Sequence, residues 1–84
     1  MYEFEIKPPL KKKLRKFKSK DISTYSRIRA KISEVVENPF HYKTLKYDLK
    51  GRRRAHIGSF VLIFYVEEDV VYFIDYEHHD KAYR

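Results

Sequence analysis

The chain has 84 residues, enough for one domain with one modest core and too few for two. An apolar content of 43% and an aromatic content of 17% exclude a disordered tail, and the absence of cysteine excludes disulfides and thiolate metal sites. No apolar run is long enough to span a membrane and no signal-peptide stretch opens the chain, so a single cytoplasmic domain over residues 1–84 is expected.

Charge is unevenly distributed. Residues 1–58 carry 17 Lys and Arg against 6 Asp and Glu, whereas residues 59–84 carry 2 against 6. With a net charge of +7, a domain this small attracts polyanions at a distance, nucleic acid first among them. The competing reading of the charge is a lysine-rich surface that keeps the protein soluble.

Taken in chain order, Tyr2, Phe4 and Ile6 alternate with Glu3, Glu5 and Lys7, which predicts a half-buried strand. Pro8-Pro9 ends it, and Pro9 suits the first turn of a helix. Leu10, Leu14 and Phe17 follow at helical spacing with Lys11, Lys12, Lys13, Arg15, Lys16 and Lys18 on the other faces, giving a short basic helix. Asp21 is the expected N-cap of a second helix to about Val36, with Ile22, Tyr25, Ile28, Ile32 and Val35 as its apolar stripe and Arg27 and Lys31 facing outward. Asn38-Pro39 stops it.

Residues 39–50 show no clear period, which predicts a loop or irregular strand pinned to the core by Phe40, Tyr42, Leu45, Tyr47 and Leu49. Beyond Gly51, three strands are predicted over 52–57, 60–66 and 70–76, joined at Gly58-Ser59 and at Glu67-Glu68-Asp69. The run 60–66 is apolar on both faces and reads as a central strand. The expected fold is therefore α+β, with two N-terminal helices packed on a mostly antiparallel four-stranded sheet in the order β-α-α-β-β-β.

This order of elements, and several marks along it, resemble the RelE/ParE superfamily of toxins from toxin–antitoxin modules, in particular RelE-type members of the archaeal kind. The marks are Glu37-Asn38-Pro39 after paired basic helices, the Leu49-Lys50-Gly51 step, Ile57-Gly58-Ser59-Phe60, and the ending His79-Asp80-Lys81-Ala82-Tyr83-Arg84. The resemblance covers essentially the whole chain. It implies a type II toxin that enters the ribosomal A site, cuts mRNA there without a cofactor and so inhibits translation. A co-expressed, acidic, RelB-like antitoxin that wraps the toxin is implied as partner, with the ribosome and its mRNA as target. The family's two positive side chains at alternate positions of the basic strand fall on Arg54 and His56. Its terminal basic residue and tyrosine fall on His79 and Tyr83. Where the family usually has an arginine on the central strand, this chain has Val61.

Cutting RNA without a metal requires a base for the 2′-hydroxyl, an acid for the departing 5′ oxygen and a cation for the phosphorane. Histidine, with an ordinary pKa of about 6.5, suits the first two roles, and arginine the third. Arg54 and His56 leave one face of a strand about 7 Å apart. The competing reading is an edge strand charged to block aggregation. His79 and Tyr83 stand at helical or turn spacing, and if His79 points at the site, His78 does not. A metal held by Glu77, His78, His79 and Asp80 is not expected, because adjacent histidines at a terminus rarely converge without a third ligand. Lys11, Lys12, Lys13, Lys16, Lys46, Lys50, Arg52 and Arg53 are the expected grip on RNA and ribosome, against the plain alternative of a solvated surface. Tyr65 and Tyr76 are candidates to line the site or to fill the core. Two other functions compete: a ParE-like poison that binds DNA gyrase, and an RNA-binding module whose activity has decayed, which Val61 raises.

Overall fold

The computed structural model describes residues 2–45 and 51–82. Strand β1 (Glu3–Ile6) leads into helices α1 (Pro8–Lys20) and α2 (Ile22–Glu37), followed by a single 3-10 turn over Pro39–His41. Strands β2 (Arg53–Ile57), β3 (Phe60–Glu67) and β4 (Val70–His78) follow, and a one-turn helix α3 (His79–Ala82) closes the described chain. The sheet order is β1-β4-β3-β2, with β1 parallel to β4 and the other pairs antiparallel. This is the expected α+β arrangement, with β3 inside the sheet.

Each boundary has a local cause. Pro8 and Pro9 occupy the first turn of α1, where the missing N–H groups need no partner. Asp21 caps α2: its carboxylate accepts from the Thr24 backbone N–H at 3.2 Å and from the Thr24 hydroxyl at 2.7 Å. These bonds hold the Asp21 carboxyl below its ordinary pKa. At the β2–β3 turn Gly58 has φ +61°, a conformation that glycine takes freely, and a Cβ there would stand 3.2 Å from the Arg27 guanidinium.

The helices cover one face of the sheet. Leu10, Leu14, Ile28, Ile32, Val35 and Val36 meet Ala55, Ile57, Leu62, Phe64, Val71, Phe73 and Tyr76 in the main core. Phe64 and Phe73 are fully buried, and each such side chain contributes about 1.5–3 kcal/mol of burial. On the opposite face a smaller cluster joins Val61 and Ile63 of β3 to Leu45, with Ile74 and Ala82 packed against it. The apolar character of β3 on both faces thus has two separate partners.

Three expectations differ in detail, and one left open is resolved. Phe4 meets Phe73 edge-on yet stays 44% exposed, because β1 is a four-residue edge strand. Ile22, assigned to the apolar stripe, is 62% exposed as the first residue of α2, before the helix has closed on the sheet. Phe40 does not anchor in the core; it lies outside, edge-on to Tyr2, with the Arg53 guanidinium 4.9 Å above its ring. Tyr76 faces the helices, edge-on to Phe17, and therefore takes the core role. Tyr47 and Leu49 lie outside the described residues. No described helix is long and apolar enough to cross a membrane.

Candidate active site

The alternation of β2 sorts its side chains. Ala55 and Ile57 are buried under the helices, which sends Arg54 and His56 to the opposite face. There the register places Arg54 opposite Ile63 and His56 opposite Val61. Val61, at the position where the resembled family usually carries arginine, is fully buried in the outer cluster.

β4 supplies the other half. Its last residue, His78, pairs with Phe60 and packs edge-on against that ring, on the helix side with Tyr76. The next residue, His79, begins α3, and its backbone N–H donates to the Ser59 carbonyl at 2.9 Å, docking α3 on the β2–β3 turn. This brings the His79 ring over the His56 ring, stacked with centroids 5.7 Å apart and planes 28° from parallel. The two histidines therefore divide, with His79 stacked on His56 and His78 packed against Phe60.

Three influences push the His56 pKa below its ordinary value: burial first, then the Arg54 charge, then His79. These influences favour the neutral imidazole, the form able to accept a proton. Arg54 is oriented by its Nη1, which donates to the Thr44 carbonyl at 2.7 Å, and its charge persists whatever it touches. Asp80 approaches His79, its Oδ1 3.6 Å from the His79 Nδ1. Among the described residues no three His, Asp or Glu side chains converge as a metal-ligand set.

The residues assigned to RNA and ribosome contact have separate fates. Lys11, Lys12 and Lys16 stand exposed on α1. Lys13 turns to the sheet: its Nζ lies 2.9 Å from Asp75, donates to the Tyr76 carbonyl at 2.8 Å and sits 3.9 Å from Glu77. Arg53 donates to the Tyr42 carbonyl at 2.6 Å, its guanidinium stacked on the Phe40 ring. Arg52 borders a cleft of about 520 Å³ shared with Lys7, Tyr65, Glu67 and Ile74. There Tyr65 stacks on Tyr72 at 4.9 Å instead of approaching the histidines. Tyr83, Lys46 and Lys50 lie outside the described residues.

A second cleft, of about 420 Å³, opens directly onto Arg54 and His56 and is walled by Lys31, His41, Tyr42 and Lys43. The helical pattern sends Lys31 outward without pointing it at a site, and no pattern singles out His41. The only signal in the sequence is a histidine and a lysine flanking Tyr42 in a segment without period. Tyr42 donates its hydroxyl to Glu34 at 3.0 Å; burial and this bond push its pKa up to about 12.

Comparison with known proteins agrees with this architecture. Residues 4–83 match the family model described as the ParE toxin of the type II toxin–antitoxin system parDE. A Methanocaldococcus jannaschii protein named "Putative toxin RelE4" is 44% identical over 87 residues, spanning 100% of this chain and 93% of its own length. An uncharacterized protein of Methanosarcina mazei is 40% identical over 86 residues, spanning 99% of this chain and 100% of its own. The solution structure of a conserved hypothetical protein from Helicobacter pylori shares the fold with a TM-score of 0.59 at 17% identity, over 95% of this chain and 97% of the other. A match over almost the whole length, with relatives at 44% and 40% identity, makes this chain a type II toxin–antitoxin toxin of the RelE/ParE superfamily.

Proposed function

We propose that the protein is a ribosome-dependent, metal-independent mRNA endonuclease that cuts in the A site and so arrests translation. The observation that carries this reading is the stacked His56–His79 pair on the same face as Arg54. His56, held neutral, takes the proton of the 2′-hydroxyl as its oxygen attacks the adjacent phosphorus. Arg54 stabilises the extra charge of the phosphorane. His79 returns a proton to the departing 5′ oxygen, leaving a 2′,3′-cyclic phosphate and a 5′-hydroxyl. Tyr83, carried over from the family resemblance, would donate to phosphate or stack on a base. With Val61 where an arginine is usual, the chain depends on the ribosome to orient the RNA, and orientation alone supplies several kcal/mol. Lys11, Lys12 and Lys16, with Lys46, Lys50 and Arg52, grip ribosomal RNA in this reading. Membership in a toxin–antitoxin family implies an antitoxin; we take it to be acidic and to wrap this basic surface in the cytoplasm.

The test is primer extension on a defined mRNA, with and without ribosomes stalled at an empty A site. Cuts that need ribosomes and vanish in His79→Ala or Arg54→Ala are expected. The name of the matching family model favours a second reading, a ParE-like gyrase poison. No cuts in either condition, with growth arrest and damaged DNA in expressing cells, would establish it instead.

A further inference from the structure

The cleft beside the histidine pair extends past it. From Arg54 and His56 it runs around the β2 edge between α2 and the residues that follow the 3-10 turn, over Lys31, His41 and Lys43. We propose that this cleft is a phosphate-binding subsite for the nucleotide next to the one cut, with Lys31 and Lys43 as its charges and His41 as a further donor. The proposal rests on the RNA-cleavage reading above and adds the direction in which the strand leaves the reacting centre.

Three observations support it. The first is that the wall is fixed by β2 itself. The Tyr42 carbonyl accepts from Arg53, the Lys43 carbonyl from the Arg54 backbone N–H at 3.1 Å, and the Thr44 carbonyl from the Arg54 guanidinium. Three consecutive carbonyl dipoles are thus turned onto strand donors, and none of these bonds uses the side chains of His41 and Lys43.

The second is charge. Lys43 has no ion-pair partner among the described residues, and Lys31 has one, Glu34, at 3.3 Å. Against that one carboxylate stand Lys31, Lys43 and Arg54, so the cleft keeps net positive charge. Its volume of about 420 Å³ is of the size that holds a small ligand unit.

The third is the contrast across the site. Asp80 lies against His79, its Oδ1 3.6 Å from the ring Nδ1, whereas the cleft reached from Arg54 and His56 is lined by Lys31 and Lys43. A polyanion seated at Arg54 is repelled by Asp80 and drawn toward Lys31 and Lys43. An acidic peptide would meet the same charges, but the continuity of the cleft with Arg54 and His56 favours the strand that must reach those residues.

The experiment uses the full-length protein and a short single-stranded RNA carrying 2′-O-methyl groups, which cannot be cut. Affinity is measured by fluorescence anisotropy across a salt series. Lys31→Gln with Lys43→Gln is expected to weaken binding about tenfold at low salt and to reduce the slope of log affinity on log salt by about 0.7 for each phosphate no longer neutralised. Glu34→Gln, which frees Lys31, is expected to tighten binding. A merely structural role for Glu34 would not give that gain. On ribosomes the double variant should cut at the same position, slowed at low complex concentration and restored at saturation. An unchanged salt slope in the double variant, while Arg54→Gln still weakens RNA binding, overturns the subsite and leaves the nuclease reading intact. Loss of antitoxin affinity with RNA binding unchanged would assign the cleft to the antitoxin and also overturns it. Absence of RNA binding together with absence of ribosomal cuts removes both.

Discussion

Two imidazoles 5.7 Å apart beside a guanidinium form a site in which one extra proton changes the chemistry. Burial, Arg54 and His79 all disfavour a proton on His56, so its titration should fall below about 6.5. Following the His56 ring proton by NMR through a pH series measures this directly. Arg54→Gln should move the midpoint upward toward the ordinary value, and His79→Asn should do so by less. A wild-type midpoint above the ordinary one would contradict the assignment of His56 as base. The sign for stability follows from proton counts. The unfolded chain binds the His56 proton more readily, so its contribution is complete above the ordinary pKa and is lost as pH falls toward the depressed one. Because the ring is exposed, solvent screens that effect, and the activity limb is the better readout. The acid limb of single-turnover cleavage should coincide with the NMR midpoint.

At the level of elements, β1 pairs with β4 only from Val70 to Phe73, while β4 continues to His78. Beyond Phe73 the register of β4 on β3 shifts, and the Asp75 carboxylate turns back to accept from the Tyr76 N–H at 2.8 Å. Lys13 of α1 closes this stretch with its bonds to Asp75 and to the Tyr76 carbonyl. Lys13→Ala should therefore lower stability by about 1 kcal/mol, a value reduced for partial exposure. The same change at Lys11, Lys12 or Lys16 should leave the denaturant midpoint in place and reduce only salt-dependent binding. If all four behave alike, Lys13 does not stabilise the edge. The β3–β4 turn offers a cleaner case. Glu68 has φ 55°, a left-handed conformation that an L side chain resists. Glu68→Gly should stabilise by about 0.5 kcal/mol, after the larger entropy of an unfolded glycine is set against the relieved strain. A lowered melting temperature would refute it. The strands, both turns and both long helices are legible in the sequence because each is encoded by neighbours: a two-residue alternation, a 3.6-residue stripe, Asp21 before Thr24. Which of the basic helix's lysines bends to the sheet is not legible, because the partner carbonyl is 63 residues away. The shift of register near Asp75 leaves no periodic mark either.

For the whole molecule, the sheet has two unequal apolar faces, and the site belongs to the smaller one. The main core beneath the helices holds the fold together, whereas Leu45, Val61 and Ile63 form a separate patch, with Ala82 of α3 packed on it. That patch lies among the supports of the site. The Leu45 N–H donates to the Arg52 carbonyl at 2.7 Å, next to the Thr44 carbonyl that orients Arg54, and Ala82 belongs to the same turn as His79. The alternation along the chain discloses that β3 is apolar on both faces and that Arg54 and His56 share one, but not that a residue from an aperiodic segment covers that face. Equal losses of stability on the two faces should therefore have unequal consequences. Leu45→Ala and Leu14→Ala both remove a nearly buried leucine and should each cost about 2–5 kcal/mol. In Leu14→Ala, cleavage per folded molecule should match the parent, because the vacated space lies on the helix side of the sheet. In Leu45→Ala, cleavage per folded molecule should fall at least tenfold, since about 1.4 kcal/mol of misplacement at Arg54 or His79 is enough for that. Circular dichroism fixes the folded fraction, and ribosome-dependent cleavage fixes the rate. Activity that tracks the folded fraction in both variants would show that the outer patch packs the sheet without positioning the site.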